Sequence, residues 1–159
     1  MEKNVIVSVV GLQINEGERP DLMELVTEGT YRKKGDAHYI SYQESEMTGM
    51  EGTTTTIKAA GDELTLIRFG AVNSQFVFRQ GKKHLSHYDT GFGSFTVDIM
   101  ARNVEIDIGE HSGNIRLGYE MAINDGEMVF SDVLMQIREA APGQAEFSAD
   151  RNGSQMDLN

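Results

Sequence analysis

The 159-residue chain carries 25 Asp and Glu against 14 Lys and Arg, a formal net charge of -11, so its long-range field repels nucleic acid and anionic lipid, and neither is expected as a partner. It contains no cysteine, which excludes disulfides, thiolate nucleophiles and cysteine metal sites and favours the cytosol as its compartment. Its length suits one domain that buries about two thirds of its unfolded surface around a single core.

The opening stretch MEKNVIVSVVGLQINEGERP has a short apolar run without a basic leader, a full signal-type hydrophobic region or a small-residue cleavage site. No segment approaches the ~20 apolar residues of a membrane-spanning helix. A cytoplasmic protein without a membrane partner is expected. In VIVSVVGLQI, Val5, Val7, Val9 and Gly11 share one face, and Ile6, Ser8, Val10 and Leu12 the other, the period of two that marks a strand. NEGERP breaks the pattern. DLMELVTEGTYRK resumes it, with Leu22, Glu24, Val26 and Glu28 opposed to Met23, Leu25, Thr27, Gly29 and Tyr31. KKGD reads as a hairpin turn. AHYISYQESE, GTTTTIKAA, ELTLIRF and AVNSQFVFR follow as four further strands, rich in β-branched and aromatic residues and closed by Gly or polar clusters.

After QGKK come HLSHYDT, GFG and the long run SFTVDIMARNVEIDIGE. That run alternates twice around an irregularity at MARN, which predicts two short strands or one strand bent by a bulge. HSGN turns into IRLGYEMAI, where Ile115, Leu117, Tyr119 and Met121 line one face. NDGE is a hairpin signal, with Asp125 and Gly126 suited to the positive φ of a type I′ turn, and MVFSDVLMQI is the last strand. From Glu139 the sequence EAAPGQAEFSADRNGSQMDLN loses periodicity and reads as a polar, mobile tail. The expected organisation is one barrel domain over residues 1–138 and a tail over residues 139–159.

About ten antiparallel strands without a helical stripe must dispose of their edges, and closure into a barrel does so most completely. The expected fold is all-β, a closed antiparallel meander barrel of about eight to ten strands; a sandwich is the alternative. The stretches GTYRKKGDAHYISYQE, TTTIK, IRFGAV, FRQG, YDTGFG and GNIRLGYEM occur in an order and spacing that resembles the YwiB-like family, a bacterial family of unknown function. The resemblance spans roughly residues 4 to 138. It implies a calycin-like, lipocalin-like barrel in a cytoplasmic bacterial setting, and it implies no known activity. The chain has no tryptophan and so lacks the glycine-x-tryptophan signature of true lipocalins, which weakens any transfer of lipocalin ligands.

Catalytic and metal-binding patterns are weak. HLSH places His84 and His87 three apart, on opposite faces of a strand, where they cannot share a metal. Glu44 with Glu46, and Glu105 with Asp107, each fall on one strand face and read as solvent-facing charges in an acidic protein. GFGSF is not followed by a helix, so a phosphate loop fails on context. The run Thr53 to Thr56 reads as an exposed threonine strand. No catalytic residue, metal or cofactor is expected. The remaining signal is Arg68, which shares a face with Leu64 and Leu66. If the leucines point inward, its guanidinium lies in or at the mouth of the barrel and needs partners, of which Glu44 and the hydroxyls of Tyr31, Tyr42 and Tyr119 suit it by type. Thr65, Ile67 and Phe69 form the competing inward face.

Two functions are thus expected from different classes. In the first the barrel binds a small anionic or amphipathic molecule, without catalysis, at Arg68, Glu44, Tyr31, Tyr42 and Tyr119. In the second it is an interaction module acting through its outer surface, as a homodimer through an edge strand or an apolar outer face.

Overall fold

The structure, a computed structural model, describes residues 2–15, 17–89, 92–123 and 126–141. The alternation becomes ten strands: β1 (Glu2–Asn15), β2 (Asp21–Lys34), β3 (Ala37–Gln43), β4 (Thr53–Ala60), β5 (Glu63–Gly70), β6 (Asn73–Arg79), β7 (Lys83–Asp89), β8 (Ser94–Ile108), β9 (Ser112–Ile123) and β10 (Met128–Glu139). Each pairs antiparallel with its sequence neighbours, and β1 pairs with β10 from Val5 opposite Glu139 to Asn15 opposite Val129, which closes the barrel. The expected closed meander is what forms, and the sandwich is not.

Burial chooses between the faces that alternation separates, although Ile6 on the opposite face of β1 is buried as well. Val5, Val7 and Val9 of β1 and Leu25 of β2 join the core, with Met23 and Tyr31 packed against it. On β9, Ile115 and Leu117 are buried and Tyr119 and Met121 pack on them. The irregularity at MARN is a register shift between Ala101 and Asn103 within one 15-residue strand. Val97, Ile99 and Ala101 face inward before it, and Val104, Ile106 and Ile108 after it. The extra residue, Arg102, restores the apolar set to the core side after a one-residue change of parity.

Turn chemistry sets the two ends apart. At one end β2 passes to β3 and β4 to β5 through two-residue Gly-Asp connections, with Gly35 at φ 61 and Gly61 at φ 63, the left-handed region that glycine enters without penalty. Gly29 has a different reason to be glycine. A Cβ there would lie 2.6 Å from the Ser41 carbonyl oxygen and 3.0 Å from a Val7 methyl, so β2 approaches β3 too closely for any side chain. Among the described residues the ladder between β6 and β7 is confined to Asn73 with Asp89 and Ser74 with Tyr88. The tip of that hairpin is fastened to β8 instead: Gly81 N donates to Ala101 O at 2.8 Å, and Val104 N to Gln80 Oε1 at 3.2 Å.

Several expectations need correction. β3 stops at Gln43, and a 3₁₀ turn follows at Glu46–Thr48, so Glu44 and Glu46 do not share a strand face. Ser45 caps that turn by accepting from Met47 N at 3.2 Å, and Gly49 ends it at φ 76, a Ser-to-Gly pattern of helix start and stop that the strand reading passed over. The threonine run is not an exposed strand: Thr53 and Thr55 are 0% exposed. At NDGE, Asn124 and Asp125, and with them the expected turn, lie outside the described residues; Gly126 N donates to Ile123 O at 2.8 Å. Finally, β10 continues to Glu139, which bonds Lys3 Nζ at 2.6 Å, and Ala140 N donates to Asn4 O at 3.1 Å. The rest of the expected tail, residues 142–159, lies outside the described residues.

Candidate functional site

The interior is divided along its axis. Toward the end that carries the Gly-Asp turns, Val7, Ile40, Leu64, Phe78, Val97 and Ile99 are almost wholly buried against one another. Toward the other end lies a cavity of about 470 Å³, bordered at its mouth by Gln13, Asp21, Thr48, Gly49 and Met50. Its walls are mostly apolar: Val9, Met23, Ile57, Leu64, Leu66, Phe76, Ile115, Leu117, Met121, Val133 and Met135 all contribute. Tyr42, Glu44, Arg68, Tyr88, Tyr119 and Ser131 are the polar side chains set among them.

Three of these, Tyr42, Arg68 and Tyr88, fall on a row fixed by strand register, with Thr55 and Ser74 between them. Tyr42 of β3 stands opposite Thr55 of β4, Thr55 opposite Arg68 of β5, Arg68 opposite Ser74 of β6, and Ser74 opposite Tyr88 of β7. The next layer inward runs Ile40, Ile57, Leu66 and Phe76, an apolar floor beneath a polar belt. Period two thus answers which face of β5 is internal. Leu64 and Leu66 point in and carry Arg68 with them, while Phe69 is 73% exposed.

Glu44 sits just past the end of β3, its side chain 2% exposed. Its backbone N donates to Thr53 O at 2.8 Å, which pins it, and its Oε2 accepts from the Thr55 hydroxyl at 2.5 Å. Arg68 Nε approaches the same oxygen only to 3.9 Å, too far for a hydrogen bond. Arg68 Nε is buried and has no hydrogen-bond partner among the described residues, and the same holds for Ser74 Oγ. Burial pushes the Tyr42 phenol well above its ordinary pKa; the Glu44 carboxylate adds to the rise, and the Arg68 cation opposes it. Tyr42 is therefore a neutral hydrogen-bonding group throughout the physiological range.

Of the residues singled out from sequence, Arg68, Glu44, Tyr42 and Tyr119 meet in this cavity. Tyr31 does not. It lies toward the opposite end, where its hydroxyl bonds His38 Nδ1 at 2.7 Å and it borders a space of about 20 Å³ beside Lys3, His111 and Glu139. Tyr31 shares the inward face of β2, but it stands opposite Ile40, two residue pairs beyond Gly29 and Tyr42, so it projects into the packed end. Sequence reasoning missed Thr55, Ser74 and Tyr88. Their signal was position: once hairpins are registered by their turns, each falls opposite the next along the Arg68 row.

A closed ten-strand meander, packed at one end and enclosing a cavity at the other, defines this molecule as a β-barrel protein. The chain belongs to the family described as Domain of unknown function (DUF1934), which matches residues 7–137. It is similar to the uncharacterized β-barrel protein YwiB of Bacillus subtilis (strain 168), with 27% identity over 112 residues, 70% of this chain and 78% of that protein. The crystal structure of ywiB protein from Bacillus subtilis superposes with a TM-score of 0.79 at 21% identity, over 88% of this chain and 94% of that one, which shows a shared fold. The family resemblance read from the sequence motifs is borne out.

Proposed function

We propose that this barrel binds a small amphipathic molecule in its open end and performs no catalysis on it. The cavity itself carries the reading. Its volume of about 470 Å³ lies within the ~300–1,000 Å³ of small-molecule sites, and it combines apolar walls with a few convergent polar groups, the composition typical of such sites. The Arg68 guanidinium supplies a fixed cation for an acidic group on the ligand. Native mass spectrometry of the purified protein, followed by organic extraction, tests it. A bound small molecule that is lost when Val133→Trp fills the cavity is the expected result. A chain of bare mass that also fails to take up 8-anilinonaphthalene-1-sulfonate contradicts it.

A cytoplasmic setting belongs to the same reading. The outer face carries Glu24, Lys58, Gln75, Glu105 and Arg116 at exposed or half-buried positions, whereas the interior is apolar, the reverse of a barrel whose outside meets lipid. Among the described residues no helix is long and apolar enough to cross a membrane.

A second reading, self-association through the outer wall, has its own observation. Val10 and Ile14 of β1, Leu22 and Val26 of β2 and Phe130 of β10 are exposed on three adjacent strands, with Ile14 opposite Phe130. Sedimentation velocity tests it: a dimer that Val26→Glu converts to monomer supports it, and a monomer at all concentrations removes it.

A further inference from the structure

We infer that the polar row across the cavity is a head-group subsite for a single carboxylate borne on an apolar chain, held between Arg68 and Ser74. This rests on the cavity reading above and specifies what enters. Arg68 and Ser74 stand directly opposite each other on β5 and β6, where inward side chains are neighbours. Both Arg68 Nε and Ser74 Oγ are buried without a hydrogen bond among the described residues. A buried polar atom that has surrendered water without gaining a partner is uncommon in folded proteins, and two on opposed residues leave two neighbouring donors at the cavity wall without an acceptor. Nε–H can only donate and a serine hydroxyl can donate, so the group that completes both is an acceptor. Tyr88, opposite Ser74 on the far side, brings a further hydroxyl to the same row.

The neighbouring charges choose among acceptors. Glu44 already lies 3.9 Å from Arg68 Nε and is committed to Thr55, so the cation is half compensated before any ligand arrives, and Asp21 borders the mouth. A phosphate monoester would bring nearly two negative charges against one shared cation. A carboxylate brings one, and its two oxygens can serve Nε and Oγ separately. An uncharged hydroxyl would satisfy the geometry of one donor and leave the guanidinium without a counter-charge. Beneath the row, Ile57, Leu66 and Phe76 and, across the barrel, Leu117 and Met135 offer nothing polar, so the remainder of the ligand is apolar chain.

Isothermal titration calorimetry of the full chain with decanoate, decan-1-ol and decyl phosphate tests this at neutral pH. Decanoate is expected to bind about tenfold or more tighter than either of the others, the margin one charge-assisted hydrogen bond provides. Ser74→Ala and Arg68→Met are each expected to lower decanoate affinity by about tenfold and to leave decanol affinity unchanged. Ser74→Ala removes only a hydroxyl without a partner, so it decides the matter even if Arg68→Met folds poorly. Equal binding of decanoate and decanol, or variants that weaken both alike, overturns the head-group subsite and leaves the cavity reading standing. Tightest binding of decyl phosphate overturns the single-charge argument. Failure of all three to bind overturns this inference together with the cavity reading.

Discussion

At the end of the barrel where β2 turns into β3 and β4 into β5, connections are two residues long and the interior is filled by Ile40, Leu64, Phe78, Val97 and Ile99. At the other end the same strands enclose about 470 Å³, and the passage from β3 to β4 takes nine residues, 44–52, including the 3₁₀ turn. The difference lies in side-chain size along faces that the pleat fixes. Large residues meet across the axis at the packed end, whereas Gly11, Ser74 and Ser131 on the inward faces at the open end are too short to span a ten-strand barrel. One end therefore holds the fold and the other is left to hold something else. Stability and binding should then respond to different residues.

The largest effect is expected from Gly29→Ala at the packed end. A methyl 2.6 Å from the Ser41 carbonyl oxygen forces β2 and β3 apart, and a loss of about 3 kcal/mol or more in urea unfolding follows from overpacking against backbone. Phe78→Ala, at a side chain 0% exposed, should cost about 3–5 kcal/mol. A cost below about 1 kcal/mol there would break the distinction between the ends, since surface sites behave that way. Arg68→Met should cost less than either, about 1–3 kcal/mol, because it leaves Glu44 buried with the Thr55 hydroxyl as its partner but removes no well-formed ion pair. Val133→Trp, directed into the cavity, should change stability by under about 1.5 kcal/mol while abolishing ligand uptake.

The smallest effect concerns pH. Burial, with Lys33 nearby, holds His38 below its ordinary pKa, so the folded state binds fewer protons there than the unfolded chain. Its contribution is present above the ordinary histidine pKa and is lost as pH falls through the depressed value. Glu139, held low first by its hydrogen bond to Lys3 and then by His111, contributes above the ordinary carboxylate range and loses that contribution as pH falls through its lowered value. Lys3 is raised mainly by the same bond and loses its share only as pH rises beyond the lysine range. Acid should therefore loosen the packed end first. Hydrogen exchange at Asn4 and Ala140 between pH 7 and pH 5 would register it, and His38→Gln should flatten the response.

The sequence made the barrel legible because its information is local and periodic. Alternation in Val5 to Gly11 and Ile115 to Met121 separates the two faces of a strand without reference to any neighbour, and the break at MARN marks where two strands or one bulged strand must be chosen between. Arg68, Glu44, Tyr42 and Tyr119 were candidates by residue type, but alternation left Thr65, Ile67 and Phe69 as the competing inward face of β5, and only the folded barrel brings the four to one cavity. Tyr31 misled because face says nothing about height along the axis, which depends on the register between β2 and β3. Thr55 was hidden by its run: four identical residues show no alternation, so burial of two of them appears only in the folded sheet. Ser74 and Tyr88 carry their meaning only as neighbours of Arg68, and cross-strand pairing is not written in either segment alone.

Methyl-resolved NMR during a decanoate titration tests the central claim most directly. The account predicts shifts confined to Met23, Ile57, Leu66, Met121 and Met135 at the cavity, saturating together, while Val7, Ile40, Val97 and Ile99 in the packed end stay in place. Shifts spread equally over both sets, or confined to the outer residues Val10, Leu22 and Val26, would contradict a barrel divided into a packed end and a binding end.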